Sequence, residues 1–182
     1  MEAFSMADQN REVKKSWESK VIQTHRVFPG DVNSHRTLFG GRLMSYIDDT
    51  ASISASRHSR SDVVTASMDT LDFLHPLNEN HSVCIESYVT GVGSTSMEVF
   101  CKIMGEDLSS GERYLAATSF ITFVAVAKEK GKKQLVPLVE PSTKEEKFVC
   151  EGYEARKAQR MSSRSFHEQF AQTITDQLPW SN

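Results

Sequence analysis

The chain has 182 residues, 38% hydrophobic and 25% charged, with a net charge of −3. That length suits one domain burying about 70% of the surface its unfolded chain exposes, without staples. The composition excludes a disordered chain, no run approaches the ~18 apolar residues of a membrane span, and the charge gives no pull toward nucleic acid or an anionic membrane.

Residues 1–18 are polar and weakly patterned, and read as a flexible arm without the apolar core of a secretory leader. Trp17 and Trp180 read as anchors of arm and tail. Val21 to Val27 is a short strand, ended by Pro29-Gly30-Asp31. Gly40-Gly41 opens a stretch to about Arg57 without internal Pro or Gly, and Leu43, Met44, Ile47, Ala51 and Ala55 recur at helical spacing. Four strands follow: Val63 to Phe73, Ser82 to Thr90, Ser96 to Met104, and Tyr114 to Val126. The last is apolar on both faces, which marks a central strand. One strand, one long helix and four strands make an α+β fold: an antiparallel sheet with a helix on one face. The other face needs a cover, and a second subunit is a natural one.

Beyond the Lys128 to Lys133 turn, residues 138–182 form a charged tail. Ser142 and Glu145 stand at capping-box spacing, so a helix is expected there. Arg156, Arg160 and Arg164 lie four apart on one helix face, which is either solvated, phosphate-binding or a subunit contact. Cys84, Cys101 and Cys150 are odd in number and fit no zinc spacing, so they read as free thiols of a reducing, cytoplasmic compartment. The histidines show no metal spacing, and no metal site is assigned.

The densest constellation runs from Asn33 to Gly41 and continues to Asp48-Asp49. Glycines permit close backbone approach, and a helix start offers free N–H groups and a positive dipole end to an oxyanion. The same pattern also describes a plain tight turn into a core helix. At 100° per residue, Asp48 falls at the edge of the apolar face and Asp49 nearly opposite, so Asp48 is the better functional carboxylate.

The run Val32 to Asp48 (VNSHRTLFGGRLMSYID) resembles the signature of hotdog-fold acyl-CoA thioesterases, in the branch containing YciA and brain acyl-CoA hydrolase. Further blocks resemble it in order: Ser56-Arg57-His58, Val63 to Asp69, Asp72-Phe73 with Pro76, Val92 to Val99, Thr122 to Val126 and Val136-Pro137. The likeness spans residues 19–137, which we take as the hotdog domain.

The resemblance implies an acyl-CoA hydrolase, cytoplasmic and without a cofactor, since coenzyme A is part of substrate and product. Asn33 and Asp48 match the family's catalytic pair, one from each subunit of a dimer, and the amides around Gly40 and Gly41 match its thioester-polarising donors. Thr37, Arg57, His58, Thr65, Ser94, Thr95 and Ser96 are carried over as substrate-binding positions. For Arg57 and His58 a helix-end charge role competes, and for the serine and threonine turn mere turn closure. Related sequences often carry Gly where this chain has Arg36. The partners implied are the acyl-CoA and other copies of the chain, at least a dimer and commonly a hexamer built as a trimer of dimers. A non-catalytic acyl-CoA binding module is the alternative. A dehydratase using His35 is a weaker one, because Asp48 sits within the thioesterase-like block.

Overall fold

The computed structural model describes residues 11–127, 129, 132–175 and 177, with the backbone alone at position 165. Residues 1–10 of the arm, Lys128, Lys130 and Gly131 of the turn, and Trp180 lie outside the described residues.

The elements in chain order are β1 (Val13–Lys15), β2 (Val21–Arg26), α1 (Gly40–Ser59), β3 (Val63–Phe73), β4 (Ser82–Val92), β5 (Ser96–Glu106), β6 (Arg113–Ala125), β7 (Leu138–Glu140), α2 (Lys144–Glu151) and α3 (Tyr153–Thr173). Five strands form an antiparallel sheet in the order β2-β4-β5-β6-β3. The expected helix and strands are present within a few residues of their sequence bounds. β6 is an interior strand as its two apolar faces imply, although β5 is the middle one. No helix among the described residues is long and apolar enough to cross a membrane.

Strand alternation builds the core. Val83, Ile85 and Val89 of β4, Met97, Val99, Cys101 and Ile103 of β5, and Ile121 and Phe123 of β6 point to one face. Leu43, Ile47, Ala51 and Ala55 of α1 pack on that face. A polar ladder fixes the helix to the sheet: Ser54 Oγ lies 2.7 Å from Ser87 Oγ, and Thr50 Oγ1 donates to Gln23 Oε1 at 3.2 Å. α1 ends on Arg60, whose φ of 54° is the left-handed conformation common just past a helix C-terminus.

Two expectations are corrected. First, the described part of the arm is tied down from its first residue: Arg11 Nε donates to the Val136 carbonyl at 2.8 Å and Glu12 O accepts from Leu138 N at 2.8 Å. Val13–Lys15 pairs in parallel with Leu138–Glu140, and Ser19 Oγ accepts from Val89 N at 2.9 Å. A three-residue strand whose partner is over a hundred residues away leaves no local periodicity to read.

Second, the outer sheet face is covered by the chain's own tail rather than left for a subunit. Thr143, not Ser142, caps α2: its side chain accepts from Glu146 N, while the Glu146 carboxylate returns to Ser142 N and Thr143 N. The same spacing, one residue later, satisfies the helix start better. Tyr153 then lies over Gly91, where an added Cβ would sit 2.1 Å from the ring. Arg156 stacks on Phe120 at 3.9 Å and, with Arg160, binds the buried Glu98. Two of the three tail arginines therefore face the sheet. Arg164 remains exposed, paired with Glu168.

Candidate active site

Asp48 projects half-buried from the middle of α1 toward the edge strand β3. Thr65 Oγ1 donates to Asp48 Oδ1 at 2.8 Å. Strand register explains the meeting: Thr65 pairs with Phe123, a core residue, so its side chain points to the helix face. Asp49 is exposed, as the helical arithmetic requires.

Asn33 organises the turn before α1. Its Oδ1 accepts from His35 N at 2.9 Å and Thr37 N at 3.3 Å, and its Nδ2 lies 3.0 Å from Thr37 Oγ1. Arg36 stands in this turn at φ 61°, the conformation glycine takes freely and a side chain takes at a cost of about 1–2 kcal/mol. Arg36 N donates to Asn33 O and Arg36 O accepts from Glu79 N, both at 3.0 Å, while Nε reaches Glu79 Oε2 at 2.9 Å. The turn thus keeps a glycine-like geometry with arginine in place.

Asn33, Thr37 and Gly40 line a cleft of about 390 Å³ walled by Leu38, Leu43, Phe73 and Leu77. Above it α1 begins without a side-chain cap or an acidic residue in its first turn. The Gly40 and Gly41 amides are therefore open donors at a positive dipole end. Gly41 has further reason to lack a side chain: a Cβ would approach the Phe39 ring to 2.8 Å.

The two groups do not meet within one chain. Eight residues separate Gly40 from Asp48, about 12 Å along the helix axis. A carbonyl held on the first-turn amides is out of reach of Asp48 in the same copy, and among the described residues no hydrogen bond joins Asn33 to Asp48 or Thr65.

Among the other expected binding residues, Ser94 is exposed, and the turn it belongs to is closed by backbone bonds, Gly93 N to Ser96 O at 2.8 Å and Ala125 N to Thr95 O at 2.8 Å. The hydroxyls of Ser94, Thr95 and Ser96 make no hydrogen bond among the described residues, which leaves them available to a ligand. Arg57 is exposed, and Nη1 donates to the Lys20 carbonyl at 2.6 Å.

His58, carried over as a substrate-binding position, is buried within the chain: its Nε2 lies 2.9 Å from Pro137 O and its Nδ1 has no partner among the described residues. Burial lowers its pKa, outweighing the Pro137 carbonyl, which raises it. The unfolded histidine, near pH 6.5, binds a proton more readily than the folded one. The neutral ring's contribution is thus present above about pH 6.5 and lost as pH falls through the lowered folded value. His58→Gln keeps a donor for Pro137 and removes the titration. Its Tm is expected to fall less than the wild type's between pH 7 and 5, as scanning calorimetry will read. Parallel profiles would contradict this.

Among the described residues no group of three or more His, Cys, Asp or Glu could hold a metal. The Asp48–Thr65 pairing carries no sequence signal of its own; only the inward parity of Thr65 on its strand points to the helix.

Residues 35–111 match the thioesterase superfamily model. An uncharacterized acyl-CoA thioester hydrolase of Bacillus subtilis, YkhA, is 54% identical over 164 residues, covering 90% of this chain and 94% of its own length. An acyl-CoA hydrolase of Staphylococcus aureus, solved with butyryl coenzyme A, coenzyme A and coenzyme A disulfide, superposes with a TM-score of 0.83 at 38% identity, over 88% of this chain and 97% of that one. A hexameric acyl-CoA thioesterase superposes at 0.80 with 41% identity, over 84% and 97%. The chain spans 38% of the length of the human cytosolic acyl coenzyme A thioester hydrolase, to which it is 32% identical. With an antiparallel sheet packed on one long helix, and a relative matched over nearly its whole length, the chain belongs to the thioesterase superfamily, in its hotdog-fold acyl-CoA hydrolase branch.

Proposed function

We propose that this protein hydrolyses acyl-CoA thioesters to free acid and coenzyme A at a site shared between two copies of the chain. The observation that carries the reading is the Asp48 carboxylate held by Thr65, opposite in kind to the open amides of Gly40 and Gly41 that it cannot reach in its own copy. The S. aureus hydrolase was solved as separate alanine variants of an asparagine, an aspartate and a threonine, which follow one another at intervals of 15 and 17 residues. Asn33, Asp48 and Thr65 follow one another at the same intervals, which supports their roles here.

In this reading one copy binds the thioester carbonyl on the α1 amides, with Asn33 beside it. The second copy presents Asp48, either as general base to a water or as nucleophile. As base, Asp48 takes the proton while hydroxide adds to the carbonyl carbon. The amides hold the oxyanion, and its collapse expels coenzyme A thiolate, which is protonated. No cofactor enters this sequence. Arg57 and the hydroxyls of Ser94, Thr95 and Ser96 are assigned to the coenzyme A moiety.

The two copies join through β3, one of the two sheet edges with an unpaired side and the one that carries Thr65 beside Asp48, making one continuous sheet. Hexameric relatives support a trimer of such dimers. Three free cysteines suit a reducing, cytoplasmic compartment.

Free coenzyme A released from a panel of short to long acyl-CoAs tests the activity; no turnover on any chain length overturns it. Mixing tests the sharing. Asn33→Ala and Asp48→Asn are each expected to be nearly inactive. Unfolded together and refolded, they are expected to regain roughly a quarter of wild-type activity, because half the dimers are mixed and each has one intact site. No recovery would place both residues in one copy's site.

A further inference from the structure

We propose that Glu79 is a positioning residue for the hydrolysis: it latches Arg36 and so holds the side-chain amide of Asn33 in the orientation the reaction uses. The inference rests on the role of Asn33 proposed above.

The turn that carries Asn33 has no packing of its own. The five residues between Val32 and Leu38 include no apolar side chain, and Ser34, His35 and Arg36 are exposed. Hydrogen bonds set its shape instead. Asn33 Oδ1 accepts from the backbone amides of His35 and Thr37, which can only donate, so the oxygen end of the side chain is fixed and occupied. The Nδ2 protons are what Asn33 has left for the cleft it lines. Slackening of the turn at residues 35–37 therefore misdirects that donor.

Arg36 is where the turn is weakest. At φ 61° it holds a conformation that persists in a residue with a side chain only where the surroundings over-determine it. Those surroundings are residues 77–81, the link between β3 and β4. The link is itself anchored just past the end of β2: Asn80 N donates to Val27 O at 3.0 Å, and Val27 N to His81 O at 2.9 Å. From this anchored link Glu79 grips Arg36 twice. Its N–H donates to the Arg36 carbonyl at 3.0 Å, and its Oε2 accepts from Arg36 Nε at 2.9 Å and Nη2 at 2.5 Å.

An ion pair on the surface contributes little by itself. This one is unequal: the Arg36 side chain is 78% exposed and that of Glu79 only 14%. A largely buried carboxylate is costly to keep, and among the described residues Arg36 is its one hydrogen-bonding partner. With backbone and side chain of one glutamate on backbone and side chain of Arg36, the left-handed residue is fixed from a single point, and Asn33 with it.

Coenzyme A release by Glu79→Ala tests the latch. The substitution leaves no buried charge unpaired, because the guanidinium it frees is already in water. The kcat is expected to fall about tenfold with KM nearly unchanged, the signature of a displaced reacting group. In Arg36→Gly/Glu79→Ala, glycine takes φ 61° unassisted, and kcat is expected to return to within about threefold of wild type. A glutamate that only stabilised the fold would not be rescued by removing its partner. In an Asn33→Ala background the residual release is expected to be indifferent to Glu79→Ala, because the latch acts through Asn33. Unchanged kcat in Glu79→Ala, no recovery in the double variant, or an equal loss in the Asn33→Ala background each overturns the latch. Hydrogen exchange of residues 32–39 reads the turn without substrate. It is expected to quicken about fivefold in Glu79→Ala and to return in the double variant; unchanged exchange also overturns the latch. If the wild type releases no coenzyme A from any acyl chain, the hydrolase reading falls and exchange alone decides the latch. If release proceeds and the latch tests fail, only the latch falls.

Discussion

Asp48→Asn is expected to lower kcat for acyl-CoA hydrolysis by about 10²–10⁴-fold, the usual loss when a general base is removed. The substitution is nearly isosteric and keeps an acceptor for Thr65 Oγ1, now 2.8 Å from the Asp48 carboxylate. Packing against α1 and β3 is therefore preserved, and Tm is expected within about 1 °C, because the site is half-buried and loses no hydrogen bond. KM is expected to move little, since the carboxylate acts on the water and not on the coenzyme A moiety. Asp49→Asn is the matched control. It removes the same charge one residue away on the exposed side of the helix and is expected to leave kcat unchanged. Full activity in Asp48→Asn, or an equal fall in both variants, would remove Asp48 from the chemistry.

That control follows from helical geometry alone. Two adjacent aspartates differ by 100° of rotation, and Leu43, Ile47, Ala51 and Ala55 on α1 define which side is inward, with Met44 at its exposed margin. The four long strands are equally legible in the sequence, because period-two alternation survives in Val83 to Val89 and Met97 to Ile103 where one face is core. What is illegible there is what depends on distant pairing. β1 and β7 are three residues each, too short for periodicity, and exist only because each supplies the other's hydrogen bonds. Glu98 reads as a polar position on a half-exposed strand, and the tail arginines as a solvated stripe. Only their conjunction makes either intelligible. The burial of His58 is illegible for a related reason: a basic residue in the last turn of a helix suits the dipole, and nothing local shows that segment 136–140 folds back over it. The site itself divides the same way. The family likeness points to Asn33, Asp48 and the glycines. The 12 Å between helix start and carboxylate, and hence the need for a second chain, follows from α1 being continuous through both.

The Glu98 network should be the most costly part of the fold to break from one side. The carboxylate is fully buried and accepts from Arg156 Nη2 at 2.7 Å, Arg160 Nη1 at 2.7 Å and Thr90 Oγ1 at 2.8 Å. Arg156→Ala/Arg160→Ala leaves that charge inside with one hydroxyl for company. Stripping the partners from a buried ion typically costs about 3–5 kcal/mol, and at ~2–4 °C per kcal/mol for a domain of this size Tm should drop by roughly 10 °C. The same arithmetic predicts an asymmetry. Glu98→Leu/Arg156→Met/Arg160→Met replaces the whole network by apolar groups of similar length, and it is expected to recover most of the loss, because the desolvation cost disappears with the charges. Urea denaturation of the three proteins decides it. A double variant within about 1 kcal/mol of wild type would mean that α3 lifts off and water reaches Glu98, so that the tail is a cover the domain can shed. Because Asp48 and Thr65 lie on the opposite face of the sheet, kcat below the melting transition is expected to hold in all three. Stability and chemistry are in that sense carried on separate sides of one sheet.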